Sequence, residues 1–225
     1  MTGGCGGGIP SCEQVFDRRT AEADLRGLRK DGPPWATRAL VEALADGLDL
    51  AGTTVVDIGA GIGAVHLALL ERGADHAVDV DGSTAYVDLA REEAARRGLT
   101  ERVRHVLGDV TERGPEVEPA DLVALDRVVC CYGDLGALLR TATSLANVRL
   151  GLVYPRDDWW VRAVITAANP VMFRRSGGYR MRIHRAREIG GRLQDAGFRR
   201  RSLRAGRIWR VECWERIAAT PAAGD

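Results

Sequence analysis

The stretch Val55-Val56-Asp57-Ile58-Gly59-Ala60-Gly61-Ile62-Gly63-Ala64 constrains the chain more than any other. A β-branched apolar run carries an acid, three alternate glycines follow, and a helical pattern runs from Ala64 to Arg72. That order predicts a strand, a tight turn and a helix N-terminus. Glycines there let the backbone turn sharply and approach a ligand with no Cβ in the way. Free N–H groups and the positive end of the helix dipole face the same spot. A nucleotide-like ligand is expected at the turn.

The rest of the chain alternates around this unit. Strands are expected over residues 54–58, 76–80, 102–107, 121–125 and 149–153, with helices over 64–72, 84–97 and 135–146 between them. Such alternation requires right-handed crossovers and a parallel sheet, whose ligands bind beyond the carboxyl ends of the strands. An earlier helix, 35–48, is expected to cover the cofactor edge of that sheet. After Pro155 a helix-like run, 161–168, is expected to break at Asn169-Pro170. An alternating stretch, 179–183, follows. A helix over 186–196 is then capped by Gly197, and 199–203 pairs with 207–214 in a closing antiparallel hairpin. The fold class read from this order is α/β: a Rossmann-like seven-stranded, mostly parallel sheet with helices on both faces and a C-terminal antiparallel hairpin. The expected division is a Gly-rich segment and helical extension over 1–34, a domain over 35–216 with a substrate-side insertion at 156–185, and a tail over 217–225.

A chain of 225 residues, 45% of them apolar, suffices for one sizeable core. No window approaches eighteen uninterrupted apolar residues, and no basic-then-apolar leader is present, so a cytoplasmic protein without a membrane span is expected. The net charge of +1 conceals an asymmetry: 16 basic against 24 acidic residues up to Pro155, then 16 arginines against 7 acids. The basic third is suited to attracting an anionic substrate. Five cysteines, two of them adjacent at Cys130-Cys131, point to reduced thiols. Cys5 and Cys12 have no histidine or third cysteine nearby, and no metal site is expected.

Four stretches together resemble the motifs of the class I S-adenosyl-L-methionine (SAM) dependent methyltransferases. Val55 to Gly63 looks like the turn around the methionine part of the cofactor. Val78-Asp79-Val80-Asp81-Gly82-Ser83 looks like the acid that ends strand two and grips the ribose hydroxyls, with Asp81 the better match. Leu107-Gly108-Asp109-Val110 looks like the step whose acid meets the adenine amine. Asp121-Leu122-Val123-Ala124-Leu125-Asp126 looks like the strand leading into the active site. The resemblance covers roughly residues 35–216 and implies SAM as cofactor. It implies cofactor contacts at Asp57, Gly59, Ala60, Gly61, Gly63, Asp81, Gly82, Asp109, Val110, Asp126 and Arg127. The acids agree with this physically: a carboxylate accepts from both ribose hydroxyls, Asp57 can serve the methionyl ammonium, and no pyrophosphate needs neutralising.

Asp126-Arg127-Val128-Val129-Cys130-Cys131-Tyr132 departs from the Asn/Asp-Pro-Pro-Tyr motif of enzymes that methylate nucleic-acid bases. With Val153-Tyr154-Pro155 and Trp159-Trp160 it resembles a group of small bacterial methyltransferases distantly similar to magnesium-protoporphyrin O-methyltransferases. The resemblance therefore implies methyl transfer to a small-molecule acceptor, aromatic or anionic, in specialised metabolism, by a protein able to form a homodimer. His184 is the first candidate for the base and Tyr132 the second catalytic candidate, as a donor positioning the acceptor. Trp159, Trp160, Met172 and Phe173 are expected to line an acceptor pocket, and the arginines from Arg174 to Arg187 to hold an anionic group. A SAM-binding protein with a non-methylating role, such as cyclisation or service as a partner subunit, is the alternative reading. Nucleic-acid modification is the third.

Overall fold

In the computed structural model, which describes residues 15–175 and 179–217, β1 (Thr54–Ile58) lies between β2 (His76–Asp81) and β4 (Ala120–Asp126), parallel to both. β3 (Val103–Leu107) continues the parallel sheet beyond β2, and β5 (Ala146–Pro155) continues it beyond β4. β7 (Trp209–Arg216) then inserts antiparallel between β5 and the edge strand β6 (Phe198–Ala205), giving the order β3-β2-β1-β4-β5-β7-β6. The order reverses between β1 and β4, which opens a crevice at their carboxyl ends.

Alternation along the strands divides the core between the two faces. Val56, Ile58, Val123 and Leu125 face one side, with Leu138 and Leu139 of α6 (Leu135–Leu145) and Ile189 and Leu193 of α8 (Ala186–Asp195). Val55, Leu122 and Ala124 face the other, with Leu40 and Leu44 of α2 (Trp35–Ala45) and Leu67 and Leu70 of α3 (Ala64–Glu71). α1 (Arg18–Asp31) lies over the glycine turn and α4 (Thr84–Arg96): Ala21, Leu25 and Leu28 pack on Ile62, Tyr86 and Leu89. The roof of the cofactor end is therefore α1. The body of α2, expected to cover that edge, lies on the sheet face, and only its N-terminal turn reaches the crevice, where the Thr37 hydroxyl donates to Asp126 at 2.6 Å.

The C-terminal third departs from expectation at Pro170. α7 (Trp159–Arg175) runs through it. The bond Pro170 cannot donate frees the carbonyl of Thr166, which lies on an exposed turn open to solvent. Asn169 does not break the helix either: its side-chain amide donates to the Met181 carbonyl (3.1 Å) and accepts from the Met181 N–H (2.9 Å). Residues 179–185 form no strand because their backbone partners are this side chain and the Cys130 carbonyl, which accepts from Arg182 N–H at 2.7 Å. Trp159 is 81% exposed and Phe173 is 42% exposed, fourteen residues further along the same helix. About 1.5 Å of rise per residue separates them by roughly 20 Å, so they do not line one pocket. Cys5, Cys12, Gly177-Gly178 and the tail from residue 218 lie outside the described residues. Among the described residues no helix is long and apolar enough to cross a membrane.

Candidate active site

Three glycines shape the turn after β1. Gly59, Gly61 and Gly63 have φ of 61°, 58° and 83°. A Cβ on Gly59 would stand 2.5 Å from Val128 Cγ2, and one on Gly63 would stand 2.7 Å from the His66 ring. The turn is thus a left-handed backbone surface that admits no side chains at these points. Ala60 lies between the first two glycines, and the turn is held against β2, where Gly59 N–H donates to the Val80 carbonyl at 2.7 Å.

Asp81 ends β2 beside this surface. Its Oδ2 accepts from Gly61 N–H at 2.8 Å and its Oδ1 from Ser83 N–H at 2.9 Å, across Gly82. Burial pushes its pKa up to about 7, against the lowering effect of these two N–H groups. Each oxygen retains lone-pair capacity for one more donor. Across the crevice, Asp109 caps the single turn α5 (Val110–Arg113): its Oδ1 accepts from Thr111 N–H and Thr111 Oγ1, both at 2.8 Å, and from the Tyr132 hydroxyl. All three bonds fall on Oδ1. The Val110 side chain is buried in the core.

Asp57 is buried beside the glycine turn. It is 1% exposed, and its Oδ2 accepts from His66 N–H (3.2 Å) and meets His66 Nδ1 (3.0 Å). In the sheet register Asp57 stands beside Asp79, and Asp79 beside His105, whose Nδ1 lies 2.7 Å from Asp79 Oδ2. The first acid of the glycine motif thus belongs to a buried row of two Asp–His pairs, with Asp57 Oδ1 and Asp79 Oδ1 lacking partners among the described residues.

At the end of β4, Asp126 is held by Thr37 and by Arg127, whose Nε lies 3.2 Å from Asp126 Oδ1. Arg127 has φ of 63°, the one positive value at a non-glycine among the described residues, and strained backbone of this kind clusters at functional sites. Both catalytic candidates meet at the following turn, but in different ways. The Tyr132 ring is buried in the core and its hydroxyl goes to Asp109 and to Thr111 Oγ1 (2.7 Å), on the cofactor side. His184 lies half-buried against the backbone carbonyls of Val129 and Tyr132, and burial holds its pKa below the usual imidazole value. The structure therefore brings His184 to the backbone of Tyr132 and not to its hydroxyl.

Residues 55–147 match a family described as a methyltransferase domain. That segment, under half of the chain, is similar to a methyltransferase domain. The family's methyl donor is SAM. The ribosomal protein L11 methyltransferase of Serratia proteamaculans (strain 568) is 39% identical over 88 residues, which span 39% of this chain but 28% of that protein. Among solved structures, magnesium protoporphyrin IX methyltransferase (ChlM) from Synechocystis PCC 6803 with bound SAM has a TM-score of 0.67 at 20% identity, over 91% of this chain and 95% of that one. An O-methyltransferase family protein from Burkholderia thailandensis has a TM-score of 0.73 at 19% identity, over 93% and 64% of the two chains. These likenesses establish the Rossmann-like methyltransferase fold, with its antiparallel end β5-β7-β6.

The site fits the family's donor on its own chemistry. A Cβ-free backbone surface adjoins Asp81, and the carboxyl groups of Asp57 and Asp79 lie near enough to act on it. Such a set suits a cationic nucleoside without phosphates and would repel a pyrophosphate.

Several residues at the site carry no local sequence signal. Phe16 stacks edge-on to both Tyr86 and Tyr179, each with ring centroids 6.0 Å apart, and its carbonyl accepts from Ser83 Oγ. The Tyr86 hydroxyl donates to Asp24 of α1 at 2.6 Å. The Tyr179 hydroxyl meets Cys131 Sγ at 2.9 Å. These contacts join residues far apart in the chain, and local periodicity does not record them.

Proposed function

We propose that the chain binds SAM at the carboxyl ends of β1, β2 and β4 and methylates a small-molecule acceptor. The observation that carries this reading is the closure of Asp81 onto Gly61, which sets an ionisable carboxylate against a backbone surface with no side chains. Asp81 would take the ribose hydroxyls, Asp109 the adenine amine, and the glycine turn with Asp126 and Arg127 the methionine end. When bound, SAM supplies an electrophilic methyl group. The chain's part is to hold the acceptor in line and remove its proton. His184 is suited to removing the proton, because its Nε2 is buried with no partner among the described residues and its lowered pKa keeps the ring neutral at pH 7. On this reading residues 35–216 form the methyltransferase domain and 156–185 its substrate side.

A protein acceptor is the second reading, favoured by the L11 methyltransferase relatives, although the chain spans 28% of the first of them. Calorimetry with SAM and with S-adenosylhomocysteine tests cofactor binding. Labelled SAM with a metabolite extract and, separately, with ribosomal protein tests the acceptor. Label in the small-molecule fraction is expected. Label in protein alone selects the second reading, and cofactor binding with no labelled product in either fraction selects a non-methylating role.

A further inference from the structure

Residues 179–185 are closely fixed for a segment that forms neither helix nor strand. Asn169 holds both backbone groups of Met181. Arg180 lies over the Phe173 ring at 4.5 Å. Arg182 N–H donates to the Cys130 carbonyl, and Ala186 N–H donates to Asp157 Oδ2 at 3.1 Å. In an extended stretch residues two apart share a side, so Arg182 and His184 face the same turn, 129–132.

The two side chains at that turn share an unusual condition. Arg182 Nη1 and His184 Nε2 are both buried and both lack a hydrogen-bond partner among the described residues. Two other arginines, Arg149 and Arg210, also leave a shielded nitrogen unpaired, but their guanidinium groups are satisfied elsewhere. Arg149 Nη1 donates to the Leu44 and Asp46 carbonyls at 2.7 Å, and Arg210 Nη1 lies 3.5 Å from Glu212. Arg182 has no side-chain hydrogen bond or ion pair among the described residues. The charged and polar groups that bear on it are Cys131, Tyr179 and His184, and no carboxylate is paired with it. Glu188, which acts on His184, is paired with Arg192 at 3.2 Å. A guanidinium nitrogen shielded from water without an acceptor is costly, and each such group calls for an explanation.

We infer that Arg182 is the anchor for the acceptor: its guanidinium takes a carboxylate or phosphate oxyanion of the substrate, while His184 Nε2 beside it faces the group to be methylated. The planar fork of an arginine matches both oxyanions in two-point geometry. The inference rests on the methyl-transfer reading of the site and adds to it the class of acceptor, an anionic one.

The test uses the full chain saturated with S-adenosylhomocysteine. Titration calorimetry with 4-hydroxybenzoate, phenyl phosphate and the neutral 4-hydroxybenzamide compares the wild type with Arg182→Gln and Arg182→Lys. At least one anion is expected to bind the wild type more tightly than the amide by about tenfold or more. Arg182→Gln should remove that preference, Arg182→Lys should restore part of it, and S-adenosylhomocysteine affinity should be the same in all three proteins. Which anion binds distinguishes carboxylate from phosphate. Equal binding of anion and amide, unchanged anion binding in Arg182→Gln, or no anion binding up to about 10 mM would each overturn the inference. Loss of S-adenosylhomocysteine binding by the wild type would instead overturn the reading of the cofactor site.

Discussion

The two halves of the crevice are built from opposite materials. The cofactor half, from β1 to α5, is backbone and carboxylate: three left-handed glycines, Asp81 on Gly61 N–H, and Asp109 capping its own helix. Each group is fixed by neighbours a few residues away or by one strand pairing. The acceptor half, from Arg127 to Arg187, is thiol, aromatic, imidazole and guanidinium, fixed by contacts such as Cys131 with Tyr179 and Asn169 with Met181. A half made of backbone serves one invariant ligand, because its shape changes little with side-chain identity. A half made of long side chains on an irregular segment accommodates change in what it holds.

If this division is right, changes in one half should leave the other's function intact. The largest expected effect is on rate. His184→Gln should lower methyl transfer by about 10²–10⁴-fold, the range for loss of a general base, with SAM affinity unchanged. In the wild type, burial lowers the His184 pKa below 6.5, so the neutral base persists to lower pH and the rate should fall only below about that value. A pH–rate profile with the same fall in His184→Gln would assign the titration to another group.

Gly59→Ala comes next. The new Cβ meets Val128 Cγ2 at 2.5 Å, at a φ that costs a non-glycine residue about 1–2 kcal/mol. SAM affinity should fall roughly 100-fold, about 3 kcal/mol. Gly98→Ala is the control: Gly98 has φ of 71° and nothing within 4 Å of an added Cβ. It should lower the melting temperature through the same backbone strain and leave SAM binding untouched. Equal binding defects in the two variants would show that strain, and not the cradle, matters.

Asp81→Asn should weaken SAM by roughly 10–100-fold, the effect of losing hydrogen bonds to a charged acceptor. Its pH dependence is the sharper measurement. Because burial raises the Asp81 pKa to about 7, its contribution to the stability of the unliganded protein is fully present below pH 3.8 and is lost as pH rises through 7. Ribose hydroxyls donate to the ionised form, so SAM affinity should rise from about pH 6 to about pH 8 in the wild type and stay flat in Asp81→Asn. Parallel slopes would remove Asp81 from the ribose site.

The same division explains what is legible in the sequence. The glycine turn, Asp81 and Asp109 are readable because the residues proposed to hold the cofactor also shape the backbone. The parallel pairing of the first five strands follows from alternation, and Gly197, at φ of 83°, ends α8 as its position suggests. Asp57 carries the motif's strongest local signal, yet it is buried against His66, because β1 alternation turns it to the α3 face. Pro170 misleads because a helix on the surface loses one hydrogen bond to water at little cost. The Thr37–Asp126 bond spans 89 residues and has no periodic signature. Arg182 stands among many arginines in the basic third, and only a shielded nitrogen on a side chain with no partner among the described residues separates it from them.

The smallest effect decides where Tyr132 belongs. Its hydroxyl donates to Asp109 Oδ1, but Thr111 holds the same oxygen through both its N–H and its hydroxyl at 2.8 Å. Tyr132→Phe therefore removes one of three bonds and keeps the buried ring. The cost should be about 0.5–1.5 kcal/mol in stability, that of one hydrogen bond. SAM should bind less tightly by a few-fold, because Asp109 stays in place with slightly more freedom. The acceptor KM should not change, because the hydroxyl faces the cofactor half. Unchanged SAM affinity with a raised acceptor KM would mean that the hydroxyl leaves Asp109 when substrate arrives. Tyr132 would then be the hinge between the two halves.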